Sequence, residues 1–209
     1  MLFSTSAYSD GGMIGLKVGN GELDATKNAY DSGNTTYAAQ SKAKDHEYAA
    51  IFAELNIPSV EGLSLGIEVI PFTATIMLEN PKEAQTGAEL SDHTTLYGQY
   101  MINMDNGGGL YVKAGYAMAD IGTITQTGTS SAHTPITTID SQDDSLEGPM
   151  IGIGYQSSEF GAGFVARAEA TFTDYDDISV TTTSNGAASV KKTAEAELTT
   201  FSISLAKTF

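Results

Sequence analysis

Eight stretches of this chain alternate apolar with polar residues at a period of two, the signature of strands buried on one face. The first, Gly12 to Asn20, sets Ile14, Leu16 and Val18 against Gly15, Lys17 and Gly19. The second, His46 to Asn56, sets Ala49, Ile51, Ala53 and Leu55 against Tyr48, Ala50, Phe52 and Glu54. In the third, Leu63 to Met77, Leu65, Ile67 and Val69 oppose Ser64, Gly66 and Glu68, and Pro71 predicts a bulge or an early end to pairing, because proline cannot donate to a ladder. The fourth opposes Leu96, Gly98, Tyr100 and Ile102 to Tyr97, Gln99, Met101 and Asn103. The fifth opposes Leu110, Val112, Ala114 and Tyr116 to Tyr111, Lys113, Gly115 and Ala117. The sixth sets Ile151, Ile153 and Tyr155 against Gly152, Gly154 and Gln156. The seventh sets Phe164, Ala166, Ala168, Ala170 and Phe172 against Val165, Arg167, Glu169 and Thr171. The last, Thr199 to Phe209, places Phe201, Ile203, Leu205 and Phe209 on one side.

The connections alternate in length. Links at one end are about five residues, such as Ile57 to Gly62, Asp105-Asn-Gly-Gly-Gly109 and Ser157-Ser-Glu-Phe-Gly161, where asparagine and glycine tolerate tight turns. Those at the other end are polar and run to about fourteen to twenty-eight residues: 21–45, 79–92, 120–147 and 174–195. An up-and-down transmembrane barrel has this asymmetry. No helical-repeat period, heptad or second domain is visible. The chain is therefore expected to be all-β, a single eight-stranded antiparallel up-and-down barrel over 12–209. Residues 1–11 are read as a tail or the remnant of an export signal, since Thr5-Ser6-Ala7 offers small residues at cleavage-type positions.

Alternation alone does not say which face meets water. Three features predict an apolar exterior in lipid. The polar faces carry many small residues, as a narrow eight-stranded interior requires. Their charges nearly balance, Lys17, Lys113 and Arg167 against Glu54, Glu68 and Glu169, as enclosed ions must. Aromatics gather near strand ends, with Phe160, Phe164 and Phe209 toward one rim and Tyr116, Phe172 and Phe201 toward the other, like interfacial girdles.

On these residues the chain resembles the small eight-stranded outer-membrane barrels, the family of the opacity proteins and the OmpA membrane domain. The terminal strand Phe201-Ser-Ile-Ser-Leu-Ala-Lys-Thr-Phe209 resembles the signal read by the outer-membrane assembly machinery, through Phe201, Ile203, Leu205 and Phe209. Lys207 departs from that pattern, which usually has an apolar or aromatic residue there. The resemblance implies export to the bacterial outer membrane, a plugged or narrow lumen and binding roles carried by loops.

Composition narrows the function. With 26 acidic and 10 basic residues the formal charge is −16, which argues against nucleic acid as a partner. No cysteine is present, so neither disulfides nor thiol chemistry enter. The histidines His46, His93 and His133 are not at metal-ligand spacing, and each reads as a solvated or rim residue. Asp140-Ser-Gln-Asp-Asp144 and Asp174-Tyr-Asp-Asp177 could offer oxygens to a divalent cation, although loop solvation is the simpler use and neither matches an EF-hand loop. No nucleophile, resident metal or cofactor is marked, and the chain is not expected to be an enzyme.

The lumen set Lys17, Glu54, Glu68, Lys113, Arg167 and Glu169 is the main constellation, read as a salt-bridge plug or as a charged constriction in a water path. Two functions follow. One is a structural, surface-interaction role through acidic outer loops, with outer-membrane lipid, lipopolysaccharide and loop-bound divalent cations as partners. The alternative is a small porin-like channel for ions or small hydrophilic solutes.

Overall fold

The computed structural model describes residues 11–32, 35–71, 74–78, 85–105, 107–121, 125–127, 136–141, 145–184 and 190–209. Its strands are β1 (Gly12–Lys27), β2 (Tyr30–Ser32), β3 (Thr35–Tyr37), β4 (Gln40–Asn56), β5 (Leu63–Ile70), β6 (Ala74–Leu78) and β7 (Gln85–Asn103). They continue as β8 (Gly109–Ile121), β9 (Thr125–Thr127), β10 (Ile136–Ser141), β11 (Ser145–Gln156), β12 (Phe164–Ser184) and β13 (Val190–Thr208). The wall runs β1-β4-β5-β7-β8-β11-β12-β13, antiparallel throughout, and closes where β13 pairs back onto β1. Leu16 lies opposite Leu205 in that closing seam. Pro71 ends β5, and β6 resumes on β7, so the interruption expected at the proline is present.

Closure without a free edge is what lets a sheet sit in hydrocarbon. The apolar faces point outward: Leu16 is 65 % exposed, Val112 52 % and Ile203 65 %. The aromatics of both expected girdles are exposed as well. Among described residues no helix is long and apolar enough to cross a membrane.

The long polar segments differ from expectation. Much of their length is strand, because β1, β4, β7, β12 and β13 continue well past the apolar belt. There the pattern inverts. On β1 the outward row runs Leu16, Val18, Asn20, Glu22, while Leu23 turns inward and is buried. On β13 the outward row runs Ile203, Phe201, Thr199, Glu197, with Leu198 and Ala196 buried inside. Outside the bilayer water meets the exterior, so the ordinary rule of apolar inside returns. Leu23, Ala117, Ala119, Leu146, Tyr175, Ala196 and Leu198 form a core cluster in this outer end. Of the expected tail over 1–11, residues 1–10 lie outside the described residues, as do His133 and Asp143 with Asp144.

Candidate functional site

The lumen is built in layers, and the inward row of β12 gives their order: Val165, Arg167, Glu169, Thr171, Thr173, Tyr175. At the turn end Val165 packs with Met13, Phe52 and Ala206. Above it Arg167 donates Nη1 to Glu54 Oε1 at 2.6 Å and Nη2 to Glu54 Oε2 at 2.8 Å, and Nε donates to Gln156 Oε1 at 2.8 Å. The Tyr97 hydroxyl adds a bond to Glu54 Oε1 at 2.8 Å. This forked pairing fixes geometry in a way a lysine could not.

The next layer is a four-membered ring. Lys17 Nζ reaches Glu68 Oε2 and Glu169 Oε1 at 2.5 Å each, and Lys113 Nζ reaches the same two carboxylates at 3.2 and 3.4 Å. Tyr111 donates to Glu169 Oε2 at 3.0 Å. All six charged residues expected in the lumen meet here, with exposures from 1 % to 8 %. Each cation has a carboxylate, as enclosure of charge demands. Rings add to the pairing: Lys113 lies 3.7 Å from the Tyr97 centroid, and the Arg167 guanidinium 5.4 Å and 5.2 Å from those of Phe52 and Tyr111. Directly above, a space of about 20 Å³ lies among Glu68, Lys113, Thr95, Thr171, Thr173 and Thr200. That is room for about one water.

The sequence reading missed the aromatic partners, although their spacing carries a signal. Six inward glycines on the wall sit directly across from a ring: Gly15 from Phe52, Gly19 from Tyr48, Gly21 from His46, Gly66 and Gly115 from Tyr97, and Gly154 from Tyr111. A Cβ on Gly154 would lie 2.3 Å from Tyr111 Cζ, and one on Gly15 would lie 2.4 Å from Phe52 Cζ. These glycines are seats for rings that lean across the neighbouring strand.

Toward the outer end a space of about 1160 Å³ follows the bare β13–β1 wall of Gly19 and Ser202, with Val18, Phe201 and Ile203 of the outward rows in its lining beside lumen residues. Leu23, His46, Tyr48, Ile70, His93, Tyr175 and Leu198 line it, Glu169 lies at its floor and the exposed Lys44 at its mouth. His93 stays on the inward row of Thr95 and Tyr97, next to a bulge in β7 between Ser91 and Thr94 where Asp92 has φ 52°. A second bulge in β12 falls between Tyr175 and Ile178. His93 Nε2 and the Tyr175 hydroxyl are 2.8 Å apart, a tie across the lumen between these two bulged strands. His93 is thus more than a solvated rim residue. On their strands the apolar belt ends at Ala49 and Leu96, so His46 and His93 lie beyond it. Burial holds both imidazoles below the usual histidine value.

The outward carboxylates gather on the extended strands. Asp174 pairs with Glu197 and Glu197 with Asp24 across three adjacent strands, and Glu22 pairs with Asp45. Like charges directly opposite are unfavourable. Among described residues no group of three or more His, Cys, Asp or Glu is arranged to hold a metal. On β13 Phe201, Ile203 and Leu205 face outward, with Phe209 exposed at the turn end, where Lys207 folds its ammonium onto the Ala162 carbonyl beside the Phe164 ring.

No protein-family profile and no curated protein matches this sequence. The fold does have solved counterparts. The outer membrane protein OprG from Pseudomonas aeruginosa is similar at a TM-score of 0.70 and 11 % identity, over 96 % of this chain and 97 % of that one. The outer membrane protein AlkL, solved in lipid bilayers, is similar at 0.58 and 14 % identity, over 100 % of this chain and 95 % of that one. The chain therefore has the fold of a small outer-membrane β-barrel, as its alternation and connection lengths predicted.

Proposed function

We propose that this chain resides in a bacterial outer membrane as a barrel that conducts no ions, catalyses no reaction and acts through its acidic outer end. The closed lumen carries this reading. Three cations and three carboxylates are paired and buried across the barrel, and the space above them holds about one water. A selective pore needs a charged ring facing a continuous water path. Here the lumen charges face one another, which weighs against the porin-like alternative.

The carboxylates without such partners face outward just beyond the apolar belt, at the depth of lipopolysaccharide head groups. Rows such as Asp174, Glu197 and Asp24 gain from divalent cations shared with phosphates of that lipid. Export and insertion would rely on the C-terminal strand as the assembly machinery's signal.

Planar-bilayer recording tests the first half of the reading: the native barrel stays silent in symmetric salt. Steady, reproducible openings of the native protein would sink it. For the second half, changing Asp24, Asp174 and Glu197 together to their amides is expected to abolish magnesium-dependent co-purification of lipopolysaccharide while the barrel still folds.

A further inference from the structure

The His93–Tyr175 bond joins strands that are not neighbours, since β8 and β11 stand between β7 and β12 in the wall. Both strands carry a bulge beside the bonded residue, between Ser91 and Thr94 on β7 and between Tyr175 and Ile178 on β12. A bulge interrupts the ladder, so the backbone is held less tightly at this level than in the belt. His93, Tyr48, Ile70 and Leu198 line both the small space above Glu68 and Lys113 and the larger space outside it. The bond therefore sits where the plug is divided from the outer end.

A neutral imidazole fits this place and a charged one does not. Tyr175 is buried in the apolar cluster of Leu23, Leu146 and Leu198, and its hydroxyl proton is satisfied by donation to His93 Nε2. His93 Nδ1 is buried without a partner. Protonation turns Nε2 into a donor, leaves the phenol proton facing the apolar cluster and puts a cation in a buried place.

The groups around the ring offer no unpaired counter-ion. Glu68 on β5 and Glu169 on β12 are each shared between Lys17 on β1 and Lys113 on β8. On β4, Lys44 and a protonated His46 bring like charge, while Asp45 and Glu47 belong to the outward row. Asp92 on β7 itself is exposed. Met150 of β11 and Leu198 and Thr200 of β13 are neutral, as is Tyr48 of β4. Water is what remains to solvate the charged ring.

We propose that the His93–Tyr175 bond is an acid-released latch: it holds the outer ends of β7 and β12 closed over the plug, and protonation of His93 parts them and admits water to the plug from outside. The Arg167–Glu54 pair and the apolar layer of Val165, Met13, Phe52 and Ala206 lie below and stay shut. Release thus hydrates the plug without making a pore. The latch needs neither lipopolysaccharide nor the outward carboxylate rows.

The chain has no cysteine, so Ser91→Cys with Asp176→Cys places one spin label on each strand of the full barrel. Double electron–electron resonance in maltoside micelles reads their separation at about pH 7.5 and about pH 5. One narrow distance is expected at the higher pH, with a second, longer population at the lower that disappears on return. His93→Gln should keep the narrow distance at both. Tyr175→Phe keeps the packing but not the bond, and should show the longer population already at the higher pH. His46→Gln should leave the response in place. No longer population at the lower pH, the same response in His93→Gln, loss of it in His46→Gln, or a narrow distance in Tyr175→Phe at the higher pH would each overturn the proposal. So would a longer population that appears only with loss of the folded barrel's gel mobility, because the change would then be global unfolding.

Discussion

Arg167 and Glu54 lie 113 residues apart in sequence and meet through two parallel hydrogen bonds of 2.6 and 2.8 Å inside the barrel. The pair ties β12 to β4 across the lumen, on opposite sides of the β13–β1 seam. Removing one partner strands the other charge among apolar and aromatic neighbours. Arg167→Ala or Glu54→Ala is expected to lower unfolding stability by about 3–5 kcal/mol. The double variant Arg167→Met with Glu54→Leu should lose markedly less than the sum. Urea titration in micelles, read by the mobility difference between folded and unfolded barrel, measures both.

Gly154 seats Tyr111, and a methyl there would also come within 2.7 Å of the Ala168 carbonyl oxygen. The ring has little room to retreat, because its hydroxyl is bonded to Glu169. Gly154→Ala should therefore destabilise by about 1–3 kcal/mol. In a Tyr111→Leu background the same substitution should cost less. The same titration decides; equal penalties in both backgrounds would show that the ring is not the obstacle.

His93 carries a pH dependence whose sign is fixed by its burial. Its folded-state pKa lies below the ordinary 6.5, so the folded protein binds fewer protons than the unfolded chain. The stability it contributes is present in full above pH 6.5 and falls as pH drops through and below that value. Amide protection factors at the outer ends of β7 and β12, taken relative to the intrinsic exchange rate at each pH, should fall between about pH 7 and pH 5. His93→Gln should flatten that response, since glutamine does not titrate.

Much of this was legible because burial writes a period of two into a strand. The six lumen charges came from polar faces whose ions nearly balance, and pairing follows from enclosure. The outer ends of the strands were hidden for a physical reason. At the edge of the hydrocarbon the exterior changes from lipid to water, so the inward row becomes apolar at Leu23, Tyr175 and Leu198 while the outward row becomes acidic. Alternation continues but its phase reverses, and a segment such as Asp174 to Glu195 then reads as polar loop. His93 itself continues the inward row of Tyr97 and Thr95; its partner was hidden, because Tyr175 lies 82 residues on, in a segment that reads as polar loop.

The glycine and ring rows on β1 and β4 also limit how the barrel can zip together. Sliding β4 by two residues keeps every greasy side chain in lipid, so inside-outside sorting alone would tolerate the error. It would nevertheless bring Phe52 against Lys17 in one direction, or Tyr48 against Lys17 in the other, where no recess exists. Matching of bare backbone to bulky ring thus gives the growing sheet a means of rejecting misaligned neighbours before the last strand locks.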